Sequence, residues 1–209
     1  CGSYNANVFR KLTAWTEEHP GAGGEALTLG RKAAAWCKTR YPVREVLPDE
    51  VDKIGFRRAR ELAEQLTRDF LAGSEKGGVD EVWLVYTRFE TVSRQRPVAE
   101  KLLPIDATSM EGVAAGEAGG AAGEQDLILE PSPEQLLQLL LPKSLSVRVF
   151  AAILDSLASE SAARRMAMKA ATDAAGDMIQ RLRRIYNRAR QETITKELLD
   201  IVGGAEALV

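Results

Sequence analysis

Few residues of this chain have the types and spacing that bond-making chemistry needs. His19 is the only histidine. It stands in a polar HPGAGG turn, so a histidine-dependent triad or a histidine metal cluster has no second member. The two cysteines, Cys1 and Cys37, lie far apart without a CxxC or a flanking histidine. That supports neither a disulfide framework nor a zinc site and fits a reducing compartment. No GxxxxGK[ST] phosphate loop occurs, and the glycine cluster in GAGGEALTLG does not follow a strand and open a helix as a dinucleotide fingerprint must. The carboxylate pairs Asp49/Glu50 and Asp80/Glu81 stand on turn-like segments with nothing apolar around them to raise a pKa, and read as solvated. The expectation is therefore no catalytic residue, no metal and no cofactor. One charged group is left over. Between Arg181 and Arg190 there are five arginines and no acid, which is either a solvated helix side or a docking face for an acidic surface.

The elements that would carry these residues follow from periodicity. With 209 residues, 45% of them hydrophobic, the chain can bury a sizeable core, and a formal net charge of −2 gives no global field for nucleic acid or an anionic membrane. No run of about 18 apolar residues stands out as a membrane span, and the N-terminus has no signal-like apolar stretch. Val8, Leu12 and Trp15 recur at helical spacing and predict a helix over 5–18. EALTLG (25–30) reads as a strand, RKAAAWCKTR as a short helix, VREVL (43–47) as a second strand, and 55–71 as an amphipathic helix with Phe56, Leu62, Leu66 and Phe70 inward. Two strand-like runs, 81–90 and 92–105, sit close enough to pair as an antiparallel hairpin. This order predicts a layered, Rossmann-like α/β domain with a mixed sheet over 1–131. Within it, the Gly/Ala/acidic stretch 106–124 reads as a flexible loop, and DLILEP (126–131) as a last strand. Ser132 and Pro133 have the character of an N-cap and first helical position opening a helical region over 132–209, and Pro142 should punctuate it.

After Pro142 the pattern becomes a heptad seam. Val147, Phe150, Leu154, Leu157, Ser161, Arg164, Met168, Ala171, Ala175, Met178, Leu182, Ile185 and Ala189 step by three and four, and all but Ser161 and Arg164 are apolar. Such persistence argues for a coiled coil beginning at about residue 144, because a globular helix stripe drifts by about 20° per heptad. A helix from Ser144 to Val202 would be roughly 90 Å long, and its seam needs another helix. Past Ala189 the phase slips. Ile194, Leu198 and Ile201 define a different face, and Gly203-Gly204 should end the helix.

The stretch from Ser159 to Leu208 resembles the gamma subunit of F-type ATP synthases. Ile194-Thr195-x-Glu197-x-x-Asp200-x-x-x-Gly204-Ala205-x-Ala207 matches that family's signature, CGSYNANVFRKL resembles the turn opening its α/β domain, and RQRPVAEKLLPI resembles its strand leading to "LLP". The resemblance implies a non-catalytic central-stalk rotor whose long C-terminal helix forms half of an antiparallel coiled coil with an N-terminal helix. It implies that this helix and the domain's first strand belong ahead of Cys1, so that the chain is a fragment. The implied partners are the alpha and beta subunits of the head, the epsilon subunit and the c-ring, with no nucleic acid. The implied location is peripheral, on the cytoplasmic face of a bacterial membrane, since the chloroplast redox insert is absent. Coupling of c-ring rotation to the beta subunits would fall to Arg188, Arg190, Gln191, Ile194, Thr195, Glu197, Leu198, Asp200 and Ile201 as contacts with the alpha/beta hexamer, and the seam to Met168, Ala171, Ala175, Met178, Leu182, Ile185 and Ala189. At one point the match lapses: the family's Asp-Asn after "KAAT" reads Asp173-Ala174. Two other classes stay open, a nucleotide-binding α/β enzyme with a helical oligomerisation tail and a coiled-coil adaptor forming a symmetric homodimer.

Overall fold

The computed structural model describes residues 1–20, 24–47, 54–105 and 132–206. The expected Gly/Ala loop and the DLILEP strand fall outside the described residues. In chain order the elements are α1 (Tyr4–Glu18), β1 (Ala26–Leu29), α2 (Arg31–Cys37), β2 (Val43–Leu47), α3 (Phe56–Ala72), a short 3-10 turn (Ser74–Lys76), β3 (Val82–Phe89), β4 (Gln95–Leu103) and α4 (Pro133–Glu206). The chain divides into two compact units, one of Gly2–Ala163 and one of Cys1 with Arg164–Val209.

Within the first unit, β1 and β2 pair in parallel, with Leu29 opposite Leu47. A parallel pair needs a crossover, which α2 supplies. β3 and β4 pair antiparallel as a hairpin, with Tyr86 opposite Val98. Among the described residues the expected mixed sheet is thus realised as two small sheets, one of each kind. The hairpin register sets Arg88 directly against Arg96, which would repel. Each finds a carboxylate elsewhere: Arg88 pairs with Glu100, and Arg96 with Glu90 at 3.3 Å.

The core joins both sheets to two helices. Leu47, Val82, Leu102 and Leu103 from the strands meet Ala59, Leu62 and Ala63 of α3 and Leu145, Val149 and Ile153 of α4. On α3 the small residues admit close packing, and Leu66 and Phe70 continue the stripe at helical spacing. Phe56 departs from expectation. It stands in the first turn of α3 at the rim of the core and is 41% exposed, touching Phe150 edge-on at 5.6 Å. Beyond α3 the chain folds back so tightly that a Cβ at Gly78 would meet the Asp69 carbonyl oxygen and lie 2.8 Å from the Gly73 nitrogen.

The helix α4 starts as predicted: Gln135 N–H donates to the Ser132 hydroxyl at 3.3 Å, and Leu136 N–H to the Ser132 carbonyl at 3.0 Å. It is not interrupted at Pro142, nor does it end at Gly203-Gly204, since it runs unbroken from Pro133 to Glu206. The Ser146 hydroxyl takes the Pro142 carbonyl at 2.8 Å, and Ser146 itself is buried. Three longer-range bonds hold the first part of this helix to its unit: Arg148 Nη2 donates to the Lys101 carbonyl (2.8 Å), Tyr4 to the Ser156 carbonyl (2.9 Å) and Ser159 to the Thr87 carbonyl (3.2 Å). The buried stripe here is Leu145, Val149, Ala152 and Ile153, a residue or two out of phase with the seam. Val147 and Leu154 of the seam are exposed, while Phe150 and Leu157 pack against the core.

α4 also contains an 18-residue window of mean hydropathy 1.5, enough by length and composition to cross a membrane. The sequence reading missed it because Lys143 and Arg148 interrupt the leucine and valine runs. Leu145, Val149 and Ile153 of that helix are spent on the core of the first unit.

Candidate partner-contact surface

The second unit carries the residues singled out for contact. From Arg164 onward α4 has almost no buried side chain. Met168, Met178, Leu182 and Ile185 are 55 to 64% exposed, and Ala171, Ala175 and Ala189 are exposed beside them. At about 100° per residue these positions share one side of the helix. Ile179 and Tyr186, exposed as well, each follow a seam residue by one and widen the stripe. Strict three-and-four counting overlooked them, although their one-residue offset at Met178 and Ile185 was there to be read.

At the tip the apolar face turns to another side of the helix. Ile194, Leu198 and Ile201 lie exposed together and Val202 extends their face, while Leu199, also exposed, stands on the side that continues the seam. Of the positions that would continue the seam, Glu192 and Lys196 are charged and only Leu199 is apolar before Gly203. A single helix thus presents two apolar faces in succession, each over a limited length. Arg188 Nε reaches Glu192 Oε1 at 2.8 Å, one turn on. Arg190, Gln191, Thr195, Glu197 and Asp200 are exposed, and among the described residues no side-chain bond or ion pair engages Arg190, Gln191, Glu197 or Asp200.

No reactive constellation among the described residues competes with this surface. Among the described residues no group of histidine, cysteine or carboxylate side chains could hold a metal ion. His19 does not sit in an open polar turn: it caps α1, its Nδ1 lies 2.8 Å from the Trp15 carbonyl, and its ring packs against Trp15 and Trp83. Burial pushes the Cys37 thiol up, against a smaller opposing effect of Arg40, so it is a poor nucleophile. The perturbed carboxylates have separate, local causes. Hydrogen bonding from Lys101, then from Trp83, lowers Glu81, while burial raises Asp155 despite Arg88 and the Phe89 backbone.

A family profile described as ATP synthase matches residues 1–208. The ATP synthase gamma chain of Arthrobacter sp. (strain FB24) is 41% identical over 214 residues, spanning 99% of this chain and 69% of the relative. The chain belongs to the ATP synthase gamma-chain family. Its relative in Desulfotalea psychrophila, also an ATP synthase gamma chain, is 41% identical over 211 residues, covering all of this chain and 70% of that one. In fold, the gamma-family chain is similar to a chain of the Euglena gracilis mitochondrial ATP synthase (OSCP/F1/c-ring, rotational state 3), with a TM-score of 0.61 and 23% identity over 100% of this chain and 68% of the other. A chain of the Tetrahymena thermophila mitochondrial ATP synthase central stalk and c-ring gives 0.57 and 22% over 82% and 70%. The nucleotide-binding enzyme and the unrelated adaptor drop out.

Proposed function

We propose that the chain is the central-stalk rotor subunit of an F-type ATP synthase, transmitting rotation of the membrane c-ring to the catalytic beta subunits. It carries no catalytic residue and binds no cofactor of its own. The observation that carries this reading is the uncovered second unit: on a gamma-family chain, a helix bare on two successive apolar faces fits a shaft whose cover lies outside the described residues. The seam from Met168 to Ala189 would be covered by an antiparallel helix, and the face of Ile194, Leu198 and Ile201 would turn within the alpha/beta hexamer. The sheet-bearing unit would meet epsilon and the c-ring, on the cytoplasmic face of a bacterial membrane.

A rotor works only if its contacts differ in free energy among the states it visits. Because Ile194, Leu198 and Ile201 occupy one side of the helix, each turn offers a different beta subunit an apolar or a polar face. Arg190 and Gln191 add polar contacts which, being exposed and screened, are weak enough to exchange. The Arg188–Glu192 pair can open toward an outside partner at the same small cost. The test is purification of the tagged chain from its own cells, followed by single-molecule observation of a bead on the sheet-bearing unit. Co-purification with alpha and beta subunits and stepwise rotation on ATP addition are expected. A chain found apart from them, as a homodimer closed on its own seam, would overturn the reading.

A further inference from the structure

The turn after α2 carries one sign of charge. Between Ala26 and Arg44 there are five basic residues and no acid. Arg44 is neutralised by Asp69 at 3.2 Å and Glu25 at 3.8 Å, and Arg31 has a partner of its own. Among the described residues no carboxylate pairs with Lys32, Lys38 or Arg40. These three exposed cations stand on or just after α2, whose Trp36 belongs to an ordered aromatic platform. Phe9 of α1 stacks on Trp36 at 4.7 Å, within 4° of parallel, and the Arg40 guanidinium carbon lies 4.5 Å from the Trp36 ring centre. Two groups that close to one indole cannot share a face, so Trp36 is sandwiched. Tyr41 closes the rim 6.0 Å away, its hydroxyl 2.9 Å from that of Thr16.

Arg40 is consequently held in place. Its Nη1 donates to the Thr39 hydroxyl at 2.8 Å and toward the Trp36 carbonyl at 3.5 Å, and among the described residues nothing accepts from Nε or Nη2. An exposed arginine ordinarily gives up much rotamer freedom when it binds. Here the stack has already restricted it, and the uncommitted edge has the planar geometry that takes a carboxylate with two bonds. Lys32 precedes Trp36 by one helical turn and adds a second cation to the same ridge. Tryptophan and arginine held this way are the residue types that dominate binding energy at protein interfaces.

We propose that the ridge of Lys32, Trp36 and Arg40 is a docking surface for an acidic protein segment, a loop or helix end bearing at least two carboxylates. The proposal rests on the reading of the sheet-bearing unit as the partner-facing part of the stalk. An anionic lipid surface fits less well, because such surfaces are met by clusters of about 4–8 mobile basic side chains, not by one arginine fixed against an indole. Nucleic acid is disfavoured by the chain's slight net negative charge.

The experiment places a photo-reactive amino acid at Ala35, exposed on α2, in the full chain within its own cells, and maps the cross-linked peptide by mass spectrometry. A peptide of another protein chain with at least two Asp or Glu beside the cross-link is expected. The double variant K32E/R40E should lower the yield about tenfold, and Arg40→Lys, which keeps the charge but loses the planar stack, about threefold. An unchanged thermal midpoint will show that the variants fold. Cross-links to lipid, to a segment without carboxylates or to nothing at all, or a yield indifferent to charge reversal, would overturn the proposal. The two readings fail separately. A chain that co-purifies with alpha and beta subunits while Ala35 captures no acidic segment sinks the ridge alone. A charge-dependent acidic partner on a chain found apart from those subunits sinks the rotor alone.

Discussion

The same helix is held by its own chain over one stretch and left bare over the next. Up to Ala163, α4 lays Leu145, Val149 and Ile153 into a core shared with both sheets and is fastened by side-chain bonds to three backbone carbonyls. From Arg164, methionines, leucines and isoleucines of the same kind stand in solvent. Apolar spacing alone does not distinguish the two stretches. What differs is whether the described residues supply a surface to cover the stripe, and most helix stability comes from that cover rather than from propensity. The contrast separates the stretch that the core holds from the stretch to which we assign association.

The largest test of that contrast is a matched pair of truncations. Ile153→Ala, inside the core, should cost about 2–5 kcal/mol. Ile185→Ala, in the bare stretch, should stay within about 0.5 kcal/mol in the isolated chain. Urea unfolding measures both, and equal losses would mean that the seam is already covered. Next, Gly78→Ala forces a methyl against the Asp69 carbonyl and should cost about 1–3 kcal/mol, as overpacking does, leaving helicity beyond Arg164 unchanged by amide hydrogen exchange.

The double variant R190A/Q191A should leave the isolated chain's unfolding curve where it was and lower ATP turnover of the assembled complex by up to about tenfold; unchanged turnover would show these side chains to be merely solvated. The smallest effect concerns Asp155. Burial raises its pKa in the folded state, so the ionised form is disfavoured there, and its contribution is fully favourable only below the unfolded carboxylate value of about 3.9. As pH rises through the raised folded value that contribution is lost. Asp155→Asn should therefore be the more stable protein at neutral pH, with the advantage closing toward pH 4. An advantage that persisted in acid would assign the effect to something other than ionisation.

Much of the first unit was legible in the sequence because its elements are short and strongly patterned. VREVL alternates as a strand should, and the helix through Leu62, Leu66 and Phe70 shows its buried stripe directly. What misled were signals with two meanings. Pro142 reads as a stop, yet the helix runs on through it, and within the next two turns Leu145 and Val149 are packed into the core. Gly203 and Gly204 read as a C-cap, and the helix passes through them. His19 reads as a turn residue, because nothing local announces that Trp83, far along the chain, will come to lie against it. The bare apolar face at the tip was legible as periodicity, with Ile194, Leu198 and Ile201 out of phase with Ile185 and Ala189. The ridge at Trp36 was not, since it depends on Phe9 and Arg40 reaching one indole from different elements.

The uncovered helix also bears on how cells make this protein. Among the described residues nothing shelters the side chains from Met168 to Val202, and a stretch left without its cover opens locally at little free-energy cost, which is where proteases and holdase chaperones act. Surplus copies that find no partners would be open to removal, while assembled copies would be hidden from it. The number of finished shafts would then be set by clearance of orphans and by the supply of partners, with no need for finely matched rates of synthesis.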